Sequence, residues 1–195
     1  MATSEVAICN LALTKLGQEQ ILALTENSKA GRLCNLHYAH TRDALLRDHL
    51  WNFAIKRVEL ALSTTTPAFD FAYQHTLPSD LLRLLTTNLT RDAEFKVEGE
   101  FLMSDSSSVK IKYIAQITDV GLFDQLYIEA LSARLAAELA IPLTDSKALA
   151  ELMFGLYHDK MRSARSVDAM EGTPDNIKAD AWLDARLGYV SPYNA

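Results

Sequence analysis

The sequence predicts an α+β fold: a mainly helical bundle of four main helices, with an inserted small antiparallel β subdomain and an extended C-terminal tail. Three observations lead there. Apolar residues recur at helical spacing over 5–16, 29–50, 122–140 and 146–170. Between the second and third of these stretches the period drops to two. From 171 the chain becomes polar, with isolated large apolar residues. Its 195 residues, 49% of them hydrophobic, are enough to bury a core.

The first helix runs from Glu5 to Leu16, with Ser4 as N-cap and Gly17 just past its end. Val6, Ile8, Leu11, Ala12, Leu13 and Leu16 cover more than one face, so it is buried on two sides. The second runs from Lys29 to Leu50 behind the N-cap Ser28. Cys34, Tyr38, Ala39, Leu45, Leu46 and Leu50 form a broad apolar arc, which Asn35 and Arg42 interrupt. His37, His40, Asp43 and Arg47 lie on the polar side. Trp51 and Phe53 then read as anchors where helix hands over to sheet.

Strand periodicity follows. Val58, Leu60 and Leu62 alternate with Arg57, Glu59 and Ala61. Short strands are expected over 82–87, 95–97 and 101–103. Val109, Ile111, Tyr113, Ala115 and Ile117 make the clearest strand. Lys110 and Lys112 on its outer face are solvated, or guard an open edge. The Pro78-Ser79-Asp80, Glu98-Gly99-Glu100 and 105–108 segments read as turns.

The third helix begins near Leu122 and is apolar nearly all round, so it is central. Ala133, Ala136, Ala137 and Ala140 allow close approach, and Pro142 is expected to end it. The fourth runs from Ser146 to Met170 along the stripe Ala150, Met153, Phe154, Tyr157, Met161 and Ala164. The resulting division is a helical body (1–51 and 119–170), a β-rich insertion (52–118) and a tail (171–195). The tail's aromatics suggest docking onto a partner.

Charge and motifs exclude several chemistries. The net charge is -6, and no Lys/Arg run offers a phosphate-gripping face, which disfavours a DNA-binding regulator. Neither a GxSxG elbow nor a P-loop nor a Rossmann glycine pattern occurs. Cys34, His37 and His40 do not share one helical face, and the histidines read as residues of a subunit contact. Asp80, Asp105, Asp119 and Asp124 fall where carboxylates cap helices or fix turns. Cys9 and Cys34 read as reduced core residues. No secretion signal and no stretch of roughly 18 apolar residues is present, so membrane association is not expected. No catalytic residue, metal or cofactor is assigned.

Four stretches carry a resemblance. The first is Asn10-Leu11-Ala12-Leu13-Thr14-Lys15-Leu16-Gly17, followed by a helix ending in Leu50-Trp51-Asn52-Phe53-Ala54. The second is Leu77-Pro78-Ser79-Asp80-Leu81-Leu82-Arg83. The third is Phe95-Lys96-Val97-Glu98-Gly99-Glu100-Phe101-Leu102, leading to Val109-Lys110-Ile111-Lys112-Tyr113-Ile114. The fourth is Phe123-Asp124, leading to the alanine-rich run 130–140. In order and spacing they resemble the tail tubular protein A family, the head–tail adaptors of short-tailed bacteriophages.

The resemblance spans about 5–170. It implies a homo-dodecameric ring between the portal and the next tail or nozzle protein, through which double-stranded DNA passes without sequence-specific binding. It brings no catalytic residues. On this reading the protein is made in the host cytoplasm and ends in the virion, at the head–tail junction. Trp182, Leu183, Leu187, Tyr189 and Tyr193 would dock on the portal, and Asp105, Ser106, Ser107 and Ser108 would meet the downstream tail protein. The alternatives are a neck or tail-completion protein of a long-tailed phage and, in a different class, a small tail-associated hydrolase.

Overall fold

Four helices and seven strands follow one another in the computed structural model, which describes residues 4–90 and 93–170. Helix α1 spans Glu5–Lys15. The Ser4 hydroxyl accepts the Ala7 N–H at 3.1 Å. At the other end Gly17 takes φ +67°, Gln18 N–H bonds the Leu13 carbonyl, and Gly17 N–H bonds the Thr14 carbonyl. This paired closure satisfies carbonyls that the helix leaves open.

Helix α2 spans Lys29–Asp48, two residues shorter than its periodicity suggests. Ser28 caps it by accepting the Gly31 N–H at 3.0 Å. Leu50, placed in the apolar arc from sequence, is 45% exposed, and Ala39 is also exposed. Arg42 is buried instead. Its Nε donates to Asp43 at 2.8 Å, and its backbone carbonyl accepts the Tyr127 hydroxyl at 3.0 Å.

A 3-10 turn over Asn52–Ala54 leads into the strands: β1 (Ile55–Glu59), β2 (Ala61–Leu62), β3 (Tyr73–Thr76), β4 (Leu81–Thr87), β5 (Phe95–Glu98), β6 (Phe101–Ser104) and β7 (Lys110–Ala115). They form two antiparallel sheets, one in the order β1-β7-β4 and one in the order β2-β3-β6-β5. Only buried Leu60 separates β1 from β2, so the chain passes from one sheet to the other without a loop. Two irregularities in β4 break its alternation. They leave Leu81, Leu82, Leu84 and Leu85 all half-buried, with only Arg83 and Thr86 exposed.

Helix α3 spans Gln125–Thr144 and α4 spans Lys147–Met170. Asp124 caps α3 by accepting the Leu126 and Tyr127 N–H groups at 2.7 and 3.3 Å. The Ser146 hydroxyl accepts the Leu149 N–H at the start of α4. The expectation that Pro142 ends α3 is corrected: the helix continues to Thr144. Proline there lies in the last turn, where it forfeits only one backbone bond, to the Glu138 carbonyl. The true stop is Asp145, at φ +54°, whose N–H returns to the Ile141 carbonyl.

Helix α3 is the centre of the helical layer, packed against α1, α2 and α4, and its alanines Ala130, Ala133, Ala136 and Ala140 are fully buried.

The predicted fold class is also corrected. The molecule is α+β with four helices and two antiparallel sheets, not a helical bundle carrying a small β subdomain. Sheet and helices share one core: Ile111, Tyr113, Ile114 and Ala115 of β7 belong to the same buried cluster as Leu46, Leu131 and Leu135. Strands β4 and β7 both touch α2. The sheets outgrow the expectation partly because β3 carries no apolar alternation; Tyr-Gln-His-Thr reads as loop. No helix among the described residues is long and apolar enough to cross a membrane.

Candidate functional site

Antiparallel pairing places directly opposed residues on the same side of a sheet. In the three-stranded sheet, Arg57 of β1 stands opposite Lys112 of β7, which in turn faces Thr86 of β4. One rung further out, Glu59 stands opposite Lys110. Like charges directly opposed are unfavourable. Among the described residues, no carboxylate pairs with Arg57 or Lys112. Lys110 Nζ lies 3.8 Å from a Glu59 carboxylate oxygen, and both side chains are mostly exposed.

These residues line a groove of about 460 Å³, with Thr86, Thr87 and Asn88 supplying polar groups on its far side. The far wall is fixed by Asn88. Its N–H donates to the Lys110 carbonyl at 2.9 Å, and its side-chain oxygen accepts the Lys110 N–H at 2.6 Å. The groove is therefore a built concavity with a surplus of positive charge, on a chain of net charge -6.

The opposite charge gathers on the β5–β6 hairpin. Gly99 turns it at φ +59°, a conformation that glycine adopts without strain. Glu94, Glu98 and Glu100 are exposed there, and none is ion-paired among the described residues. Strand β5 is a sheet edge, exposed along its whole length. Phe95 and Val97 are 41% and 46% exposed beside the acidic tip.

The 105–108 segment, read from sequence as a contact tip, follows β6 at the end of the hairpin away from Gly99 and is internally fixed. Ser106 N–H donates to the Ser104 hydroxyl, the Ser106 hydroxyl to the Ser108 carbonyl, and the Ser108 hydroxyl to Glu59 at 2.7 Å. Asp105 accepts the Ala72 N–H at 2.9 Å. Beneath them, fully buried His75 donates from Nε2 to the Ser106 carbonyl at 2.9 Å. Asp105, Ser107 and Ser108 are exposed, and Ser106 is half-buried. Trp182, Leu183, Leu187, Tyr189 and Tyr193 lie outside the described residues.

A second polar cluster ties the end of α4 to the start of the sheet. His49 Nε2 donates to Asp168 at 3.0 Å, and the Asn52 N–H donates to the other Asp168 oxygen at 3.1 Å. Arg165 adds an ion pair to Asp48 at 2.5 Å. Beside the cluster is a cavity of about 220 Å³, bordered by Phe53, Phe123, Asp124 and Asp168. Both Asp168 oxygens are already hydrogen-bonded, so this His–Asp pair works as a latch on the helix end. Sequence reading did not single it out, because its partners are more than 100 residues apart.

The carboxylates with shifted proton affinity lean toward the ionised form. Burial pushes the Asp80 carboxyl up, but hydrogen bonds from Lys56 and Tyr113 and the Lys56 charge outweigh it, and the net displacement is downward. Glu26 is lowered by hydrogen bonds from the Leu22 N–H and Ser28. A general acid needs the reverse. Cys9 and Cys34 are both free and buried. Cys34 is buried while His40 is exposed, so the 34, 37, 40 trio does not converge. Among the described residues no group of three or more His, Cys, Asp or Glu side chains is placed to hold a metal ion.

No protein-family profile matches this chain, and no curated protein matches it.

Proposed function

We propose that the chain is a structural head–tail connector subunit of a tailed bacteriophage. Copies form a ring that joins the portal to the tail and extends the DNA channel for genome ejection. The observation that carries this reading is the presence of two exposed surfaces of opposite charge on one subunit. Such a subunit associates head to tail, and head-to-tail contacts close into rings when the rotation fits the symmetry. The stretches that resemble tail tubular protein A supply the second support: they fall in order on α1–α2, the entry to β4, β5–β7 and α3.

On this reading the helices form the ring body, the tail 171–195 docks on the portal, and the 105–108 segment faces the downstream tail protein. Assembly would place the protein at the head–tail junction of the virion after synthesis in the host cytoplasm. Negative-stain electron microscopy of the purified protein, alone and mixed with its portal, tests the proposal. Rings stacked coaxially on the portal are expected. A monomer that ignores the portal would overturn it.

A further inference from the structure

We propose that the basic groove of the three-stranded sheet receives the acidic β5–β6 hairpin of a neighbouring copy of the same chain. This rests on the ring reading above and names the contact within it.

The first argument is charge. The groove holds Arg57 and Lys112 directly opposed with no carboxylate partner among the described residues, and Lys110 beside them in a loose pair with Glu59. A cross-strand pair of like charges repels, and an anion set between its members relieves that repulsion. The hairpin presents Glu98 and Glu100, two carboxylates on either side of the Gly99 turn, while exposed Lys96 stands between Glu98 and Glu94 on the strand, so the acidic charge is concentrated at the tip.

The second argument is apolar surface. Phe95 and Val97 are exposed behind the acidic tip, and Val58 is 38% exposed at the groove. A contact that seats the hairpin edge in the groove would cover part of this apolar surface. The third is order. Asn88 and its bonds to Lys110 hold one groove wall, and Gly99 holds the hairpin turn. Both partners are therefore shaped before they meet, which reduces the entropy lost on binding. A polyphosphate strand is the other occupant the groove could take. The hairpin is favoured because the same chain supplies it at the concentration of the ring itself.

The test uses the full chain and two double variants, R57E/K112E in the groove and E98K/E100K on the hairpin. All four positions are solvent-accessible, and circular dichroism checks that each variant folds. Self-association is followed by sedimentation velocity and native mass spectrometry at several salt concentrations. Each variant alone should lose self-association by about tenfold or more. An equimolar mixture should regain it, because every contact in the mixture again joins opposite charges. Wild-type association should also weaken as salt rises. Variants that associate as well as the wild type would overturn the assignment of these surfaces and leave the ring reading standing. If R57E/K112E self-associates normally but loses binding to a short DNA duplex, the groove holds phosphate instead and the proposal falls. A wild-type protein that stays monomeric at every concentration and beside the portal would overturn the ring reading as well.

Discussion

The indole Nε1–H of Trp51 donates to the carbonyl oxygen of Leu45 at 3.0 Å, across the end of α2. Trp51 is 1% exposed and meets Tyr127 edge-on, with ring centroids 5.0 Å apart. One side chain thus fastens the end of α2, the entry to the sheet and the central helix. Trp51→Ala should destabilise the fold by about 3–5 kcal/mol. Trp51→Phe, which keeps a ring but abandons the Leu45 carbonyl, should cost about 1–3 kcal/mol. Urea unfolding measures both.

Removal of the latch on α4 should act locally. Asp168→Ala deprives His49 and the Asn52 backbone of a shared acceptor. A loss of about 1–3 kcal/mol is expected. Amide hydrogen exchange should accelerate over the last two turns of α4 and remain unchanged in α1. Uniform acceleration across the chain would show that the latch holds more than the helix end.

Stability should depend on pH through Asp80 and Tyr113, whose hydroxyl donates to the carboxylate at 3.0 Å. The Asp80 value is depressed in the folded state, so its contribution is present above the ordinary value of 3.8 and fades as pH falls through the lower folded value. Burial, then the Asp80 hydrogen bond, pushes Tyr113 from 10.0 up to about 12. Its contribution is complete below pH 10 and fades as pH rises toward 12. Asp80→Asn should flatten the acid limb of the stability profile, and Tyr113→Phe the alkaline limb. Chemical denaturation across the pH range distinguishes the two.

Gly155 sits in the interior of α4, exposed, with nothing within 4 Å of where a Cβ would stand. Gly155→Ala should therefore stabilise the protein by about 1 kcal/mol. Thermal unfolding reads the gain.

The helices were the most legible part of the sequence, because capping residues mark their starts. Ser4 and Ser28 accept the backbone N–H groups expected of N-caps, whereas the third helix, expected from about Leu122, begins at Gln125 behind the cap Asp124, after a 3-10 turn over Val120–Leu122. Their ends were less so: Pro142 reads as a stop, yet the stop is a left-handed Asp145, which no local pattern announces. The strands with apolar alternation were visible, whereas β3 was hidden because its stability comes from pairing with β2 and β6 rather than from its own pattern. The candidate site was legible only in fragments. Lys110 and Lys112 stood out on one strand, and Glu98 and Glu100 around one glycine. That Arg57 faces Lys112 is a matter of register, and register is set by 50 residues of intervening chain. The latch between His49 and Asp168 was invisible for the same reason.

The passage of the chain through Leu60 has a mechanical meaning. Leu60 donates its N–H to the Val109 carbonyl at 2.8 Å, so the ladder between β1 and β7 continues up to the point where the strand enters the second sheet. A pull applied to the far sheet therefore runs along 55–62 as tension in one extended backbone. It loads the rungs to β7 side by side, in shear, rather than peeling them one after another. The path ends at Trp51 and the close of α2. A chain built this way would carry a load from the distal sheet toward its helical layer along one extended strand.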